Sequence, residues 1–274
     1  MLALLAWPVL AGQASAQAPV PSPPSAAGGE SILGSSTASE AALTGILYDL
    51  KQDEHRNPAI NNTHDYDSVI ASFLTKGWDE SVFDPFYRVS HPFYTTQIFI
   101  PMLASKAAPK AFGVENRIQD GYWVIHYKAQ VVPPADGRYR FAGYAHATIF
   151  VAINHRLVLN GSRWDVSKAA RNLPGLAREA GAPAGDFHLC LGDWVDLKHS
   201  QPVDIDILVG NRQATVLCAF LLVQKADEIY PIDPATKFPI LPVFQLTPYT
   251  GLPFPEGKLS TRAQFNTSIW KCLQ

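Results

Sequence analysis

Charged side chains are scarce in this chain of 274 residues, at 17% of all positions. The 22 lysines and arginines nearly balance the 24 aspartates and glutamates, and no stretch concentrates the basic residues. Because nucleic-acid binding needs a basic patch or stripe, we expect no nucleic-acid partner. The 47% of hydrophobic residues make general disorder untenable, and the length suits one large core with extensions.

Cysteine is also scarce. Three cysteines in a chain of this length do not form a disulfide framework. Cys190 and Cys218 lie on segments that we predict to be neighbouring strands, so a disulfide between them is possible in an exported protein. The alternative is that both are free, buried thiols. Cys272 is left over, either as a crosslink to a partner or as an incidental thiol of the C-terminal tail.

Catalytic motifs are missing as well, since the chain has no G-x-S-x-G, H-E-x-x-H, P-loop or G-x-G-x-x-G sequence. Asp204 and Asp206 share one face of a predicted strand, and His126 and Lys128 share a face of another. Alternating charges on a half-buried strand usually face solvent rather than perform acid–base chemistry. We therefore predict a protein that is not an enzyme and has no cofactor. A hydrolase would require the tertiary structure to bring two carboxyl groups together in a cleft.

The N-terminus has the pattern of an export signal. Residues 1–18, MLALLAWPVLAGQASAQA, combine a short apolar run with small residues suited to cleavage after Ala16 or Ala18. The run is too short to span a bilayer, so no transmembrane segment is expected in the mature chain. Residues 19–40 are rich in Pro, Ser, Ala and Gly, and this composition predicts a flexible tether. We expect an exported protein in the periplasm, at the cell surface or outside the cell; an ordinary apolar N-terminal helix is the alternative.

Strand patterns dominate the interior. Apolar residues alternate with Asp204 and Asp206 between residues 203 and 209, and a similar alternation runs through 122–129, so each strand should bury one face. One short amphipathic helix is predicted from a cap at Asp67 or Ser68 to a stop at Gly77. The pair Asp136-Gly137 is typical of a tight hairpin turn. Asn154-His155 predicts another turn, because Asn tolerates the left-handed conformation.

The C-terminal tail, residues 228–274, follows a different pattern. Seven prolines between Pro231 and Pro255 are interleaved with large apolar residues. Proline blocks regular strand pairing, yet so many apolar side chains would form a large exposed strip unless something covered them. The tail therefore either folds back over its own domain or docks on another protein.

Residues 137–159, GRYRFAGYAHATIFVAINHRLVL, carry the most informative pattern, an aromatic and Arg-rich strand that leads into a hydrophobic strand ending at Asn154-His155. This pattern resembles the centre of a PA14 domain. The likeness extends from LTGILYDLKQ near the start to GDWVDLKHSQPVDIDILVG and ATVLCAFLLVQK near the end, and is closest to a secreted bacterial subgroup. It implies an all-β fold over residues 41–227, an antiparallel sandwich with jelly-roll character.

The resemblance also places a functional locus. PA14 domains can bind calcium for sugar recognition through two adjacent acids, and counting back from Asn154 puts that pair at His146-Ala147. Neither residue offers the anionic oxygens that Ca²⁺ needs, so no metal site is expected. His126, His146 and His155 have no metal-ligand spacing and are interpreted as ordinary strand and turn residues.

Two functions follow from these observations. The first is a non-catalytic, exported structural or protein-interaction module of a cell-surface or periplasmic assembly, with other exported proteins or a second copy bound through the tail. The alternative is a carbohydrate-binding module. Its candidate ligand-binding residues surround the turn after the hydrophobic strand: His146, Asn154, His155, Trp164 and Asp165.

Overall fold

The computed structural model describes residues 30–31, 34–35, 37–146, 148–162, 179–184, 187–249 and 263–273. The predicted export signal and most of the predicted tether lie outside these residues. The described chain is an all-β sandwich of two antiparallel sheets, as the sequence predicts. No helix in these residues has the length and hydrophobicity needed to cross a membrane.

The larger sheet has ten described strands. Eight follow one another across the sheet in the order β1 (Glu30–Ser31), β2 (Gly34–Ser35), β5 (Phe93–Thr95), β3 (Leu43–Asp53), β7 (Trp123–Val132), β14 (Val203–Asn211), β9 (Thr148–Ile153) and β10 (Arg156–Asn160). In addition, β4 (Phe86–Arg88) pairs with β3, and β16 (Lys271–Leu273) pairs with β7.

The smaller sheet has six described strands. Their order is β11 (Glu179–Ala184), β12 (Phe187–Leu191), β8 (Gly137–Ala145), β15 (Val216–Lys225) and β6 (Phe99–Ala104), with β13 (Val195–Leu197) paired to β8. The hairpin predicted at Asp136-Gly137 is wrong, because β7 and β8 belong to different sheets. The chain crosses from one sheet to the other there, so this Asp-Gly pair links the two layers of the sandwich.

The main core lies between the sheets and confirms the predicted alternation. Every second residue of β7 and β14 points into it, and antiparallel pairing aligns the two strands over nine residue pairs. The buried inward residues of these two strands are Trp123, Ile125, Tyr127, Val131, Val203, Ile205, Ile207 and Val209. The opposite face of the same strands points away from the core.

Helix α1 (Thr63–Thr75) covers part of this outer face. It begins earlier than the sequence predicts, because the Asn62 side chain accepts a hydrogen bond from the Asp65 N–H and caps the helix there. The chain reverses after the helix at Gly77, which has a positive φ of 74°. Shorter helical turns occur at Glu80–Phe83 and Ser105–Ala107, both 3₁₀, and in α2 (Ala108–Ala111).

Helix α1 is fixed to the sheet by apolar and polar contacts. Tyr66, Ile70, Phe73 and Leu74 are buried against the outer face in a second hydrophobic cluster. Arg212 makes a bidentate ion pair with Asp67, with both N–O distances at 2.7 Å. The helix and the 3₁₀ turn after it therefore form a cover over one half of the sheet.

The C-terminal tail pairs with β15 of the smaller sheet and packs against the outer face of that sheet. Val223 donates a backbone hydrogen bond to Pro242 at 2.9 Å, and Phe244 donates one to Leu221 at 3.0 Å. Leu241 and Val243 join a third hydrophobic cluster on that face. This contact explains why β15 is apolar on both of its faces.

The tail also enters the main core. Phe244 and Trp270 are fully buried there, and the Trp270 ring packs on Tyr139, Phe141 and Phe244. Of the two arrangements left open by the sequence, the described part of the tail adopts the one in which it folds over its own domain. The exposed large hydrophobic residues of the described chain are Met102, Ile229 and Ile232.

The tail should therefore contribute to folding stability. We expect Trp270→Ala to lower the free energy of unfolding by about 3–5 kcal/mol, because it leaves a cavity in the core. Ile229→Ala is the control within the same tail, since Ile229 is 100% exposed. It should change the stability by less than about 0.5 kcal/mol. Urea unfolding followed by far-UV circular dichroism measures both, and equal effects of the two substitutions would contradict the packing of the tail.

Candidate functional site

The candidate site lies on the outer face of the larger sheet, where the cover formed by α1 ends. Strand register places Thr44 of β3 beside Lys128 of β7, and Lys128 beside Asp206 of β14. His126 lies two residues before Lys128 on the same face of β7, and it is the nearer of the two to helix α1. Polar side chains from three adjacent strands thus share one surface.

His126 is held between two carboxylates. Its Nδ1 lies 2.7 Å from Glu80 Oε1, and its Nε2 lies 2.9 Å from Asp206 Oδ1. Both hydrogen bonds are made when each ring nitrogen carries a proton, because an ionised carboxylate can only accept. The ring is 1% exposed and lies against Phe73 and Trp78. The described structure therefore encloses this imidazole rather than presenting it to a substrate.

Glu80 connects the buried histidine to the surface. It stands at the start of the 3₁₀ turn Glu80–Phe83, where Asp79 caps the turn by accepting from the Ser81 N–H. Its Oε1 is also 3.1 Å from the ammonium of Lys128, which is half exposed. The hydrogen bond from His126 and the nearby charge of Lys128 lower the pKa of Glu80 from 4.5 to about 2, although partial burial acts in the opposite direction. Glu80 is thus an anion that fastens the 3₁₀ turn to the sheet.

Asp206 is buried, whereas the sequence pattern predicts a solvent-facing residue. Tertiary packing buries it, because His126 lies on one side of the carboxylate and His155 on the other. Asp206 Oδ2 lies 3.1 Å from His155 Nδ1 and lacks a well-directed hydrogen bond from any described residue. This contact is therefore an ion pair when His155 is protonated and does not fully satisfy the oxygen.

The turn Asn154-His155 positions the second histidine. Both residues have a positive φ, 49° and 59°, as a tight turn between β9 and β10 requires. Asn154 is tied to β14 because its side-chain oxygen accepts from the Asp204 N–H at 3.0 Å, and its own N–H donates to the Asp204 carbonyl at 2.8 Å. The predicted turn is confirmed, and it brings His155 over Asp206.

These residues line a groove of about 530 Å³. The groove is open to solvent along the surface of the sheet. The side chains that give the groove its polar and aromatic character are Thr44, Tyr94, Lys128, Gln130, Asp204 and His155, with Asp206 at its base. Gln130 Nε2 donates to Asp204 Oδ1 at 3.3 Å. The groove thus offers hydrogen-bond donors, acceptors and one aromatic ring, mostly on strands.

The candidate residues named from the sequence are only partly brought together. Asn154 and His155 lie at the groove, whereas His146 directly follows β8 of the other sheet, where its N–H donates to the Cys218 carbonyl at 3.0 Å. Trp164 and Asp165 lie outside the described residues, as does Ala147. Among the described residues, no group of three or more His, Cys, Asp or Glu side chains is arranged to hold a metal ion.

Four residues of the site were missed by sequence reasoning: Thr44, Glu80, Tyr94 and Gln130. Glu80 carries no local signal of its role, because its partner His126 is 46 positions away. Tyr94 belongs to an aromatic-rich segment, and the sequence does not indicate which of its rings lies in the groove. Gln130 could have been found, because it shares the strand face of His126 and Lys128 by simple alternation.

Cys190 and Cys218 are not joined by a disulfide in this structure. Their strands, β12 and β15, lie on opposite sides of β8 and are therefore about 9–10 Å apart. The side chains also point to opposite faces of the sheet, Cys190 into the main core and Cys218 toward the tail. Burial raises the pKa of Cys218 to about 11, which makes its thiol unreactive at neutral pH.

Comparisons with known proteins find likeness at the level of solved structures. No family model and no curated protein matches the chain. A PA14 sugar-binding domain from an RTX adhesin is 12% identical, with 69% of this chain and 93% of that chain covered and a TM-score of 0.43. The PA14 domain of the antifreeze protein MpAFP is 13% identical, with coverages of 74% and 89% and a TM-score of 0.42.

A third similar structure is the A domain of epithelial adhesin 6 from Candida glabrata, solved in complex with Galb1-3GlcNAc. It is 14% identical, with 74% of this chain and 86% of that chain covered and a TM-score of 0.43. PA14 domains are thus among the solved structures that this chain resembles, and the pattern of residues 137–159 resembles the same family.

The ion-pair cluster should stabilise the fold in a pH-dependent way. Glu80→Gln should lower the free energy of unfolding by about 1–2 kcal/mol near neutral pH, because the buried His126 loses a charged partner. The pKa of Glu80 is about 2 in the folded protein against an ordinary 4.5, so its contribution is complete above 4.5 and falls as the pH drops toward 2.

Urea unfolding of wild type and Glu80→Gln, from about pH 7 to about pH 3, measures this difference. The matched control is Glu54→Gln, since Glu54 is mostly exposed and pairs only with exposed His55. A Glu80→Gln effect that stays constant or grows as the pH falls would contradict the assigned role of this carboxylate.

The cysteines provide a separate test. Because Cys190 and Cys218 point to opposite faces of one sheet, we expect all three thiols to be alkylated when the chain is denatured without reductant. Intact-mass spectrometry after iodoacetamide treatment counts the added groups. A mass showing only one alkylated cysteine would mean that a disulfide forms and that β12 and β15 do not lie on opposite sides of β8.

Proposed function

We propose that this chain is an exported, non-catalytic binding domain that holds a short segment of glycan in the groove over β3, β7 and β14. The groove itself supports the proposal most directly. Hydroxyl-rich ligands need closely spaced donors and acceptors together with an apolar surface for their C–H faces. Thr44, Gln130, Asp204 and Tyr94 supply these groups within one concave surface.

Rigid placement favours binding. The polar side chains stand on paired strands, and the neighbouring turn is tied to β14 through Asn154. Side chains on such a scaffold lose little conformational freedom when a ligand binds. The export assignment is supported by the sequence of residues 1–18.

A non-catalytic role is supported by the burial of His126. The cluster has two carboxylates and an imidazole, a combination used in acid–base catalysis. Here the imidazole is enclosed by Phe73 and Trp78, and both of its nitrogens already contact carboxylates. The arrangement therefore suits the attachment of the 3₁₀ turn better than proton transfer to a ligand.

The protein-interaction role was expected because the apolar tail needed a cover. The domain itself supplies most of that cover in the described structure. Most apolar residues of the described tail are covered by their own sandwich, whereas Ile229 and Ile232 are exposed. Binding of exported proteins, or self-association through the tail, stays a prediction of the sequence.

Binding can be tested on a glycan array followed by calorimetric titration of the strongest ligand. Tyr94→Ala and Gln130→Ala should each weaken binding about five- to tenfold, because they remove a stacking surface and a hydrogen-bonding amide. A chelator should have no effect, since no metal takes part in the proposed contacts.

Gln201→Ala is the matched control, because Gln201 is an exposed residue of a turn outside the groove. It should leave the affinity unchanged. If no glycan on the array bound, or if binding were insensitive to both groove substitutions, the proposed function would be rejected.

A further inference from the structure

The groove contains a carboxylate with no cationic partner among the described residues. Asp204 is exposed, and its side chain accepts only the weak hydrogen bond from Gln130 at 3.3 Å within that part of the chain. No lysine, arginine or histidine of the described chain lies within ion-pair distance of it. An anion in this position is available to a ligand.

A second carboxylate lies beside it on the same face. Asp204 and Asp206 are two residues apart on β14, so their Cα atoms are separated by about 6.5–7 Å. Asp206 is 3% exposed and lines the base of the groove. Its Oδ2 accepts no well-directed hydrogen bond from the described residues, and His155, which stands over it, belongs to a surface turn and is 62% exposed. A ligand that displaces this ring would gain a second buried acceptor.

The cations near the groove are already matched. Lys128 pairs with Glu80 at 3.1 Å, His126 lies between Glu80 and Asp206, and His155 lies 3.1 Å from Asp206. Each of these basic groups contacts Glu80 or Asp206, and none of them contacts Asp204. Asp204 is therefore the carboxylate of the groove that lacks a cationic partner among the described residues.

We propose that the groove selects glycans that carry a free amino group, whose ammonium binds between Asp204 and Asp206. This inference rests on the proposed function, which it narrows to one ligand class. An ammonium group is a strong donor to carboxylates and supplies the cationic partner that Asp204 lacks among the described residues. Neutral sugars offer only uncharged hydroxyl and amide donors, and acidic sugars would meet repulsion from Asp204.

Calorimetric titration of the full chain with two trisaccharides of equal length tests the selection. The glucosamine trimer carries amines, and the N-acetylglucosamine trimer replaces each amine with a neutral amide. We expect the glucosamine trimer to bind about tenfold more tightly, because charge-assisted hydrogen bonds are stronger than neutral ones. The preference should diminish at high salt, since the groove is open to solvent.

Asp204→Asn should weaken binding of the glucosamine trimer more than binding of the N-acetylglucosamine trimer, and so remove most of this preference. Asp196→Asn is the matched control, because Asp196 is an exposed aspartate on strand β13 of the other sheet. It should leave the preference intact. The pair of variants separates an effect at the groove from a general change in net charge.

The possible failures are distinguishable. Equal or tighter binding of the N-acetylglucosamine trimer would overturn the amine selection and leave the proposed function standing. A preference that survives in Asp204→Asn would also overturn it, because the ammonium would then bind elsewhere. Tighter binding of trilysine than of the glucosamine trimer would assign the amine preference to basic peptides and reject the glycan. If neither trisaccharide nor any array glycan bound, both proposals would fail.

Discussion

The central strands of both sheets carry apolar side chains on their two faces, and this constraint shapes the rest of the molecule. One face of each sheet is buried when the sandwich closes, but the other face also needs a cover to avoid exposing a hydrophobic surface. The C-terminal tail covers the smaller sheet, and helix α1 covers half of the larger sheet. The uncovered half is where β7 and β14 change from apolar to polar residues, and the groove lies there.

The boundary between the covered and open halves is electrostatic. His126 is buried at the edge of the apolar cover, and a buried charge is tolerated only when it is paired and hydrogen-bonded. Glu80 belongs to the 3₁₀ turn and Asp206 to β14, so the His126 ring links the cover to the sheet. The same contacts hold Lys128 and Asp206 in place at the groove. Folding stability and the shape of the groove therefore depend on one set of ion pairs.

The position of the tail changes how the surface is interpreted. A proline-rich strap with many apolar residues suggests a docking arm when only the sequence is considered. In the folded chain, Trp270 and Phe244 complete the main core, and Leu241 and Val243 close the outer face of the smaller sheet. The strap thus acts as part of the domain. The groove lies on the opposite layer, where polar side chains stand on paired strands.

Local patterns in the chain specify the strands and their faces. Alternation in 203–209 and 122–129 assigns the inward residues correctly, and it places His126, Lys128 and Gln130 together on the outer face of β7. The left-handed turn at Asn154-His155 can also be predicted from the sequence, since Asn tolerates a positive φ. The start of α1 is missed by about one and a half turns, because the helix is capped by Asn62 instead of the predicted Asp67 or Ser68.

Which polar residues meet depends instead on how distant segments pack. His126 contacts Glu80 and Asp206 across 46 and 80 positions, and no local pattern encodes such separations. The register of β7 against β14 places Lys128 beside Asp206, and a shift by one residue would turn these side chains to the core face. The burial of Asp206 and the crossing at Asp136-Gly137 have the same origin in tertiary packing. Alternation tells which face a side chain takes, whereas pairing and packing determine its neighbours.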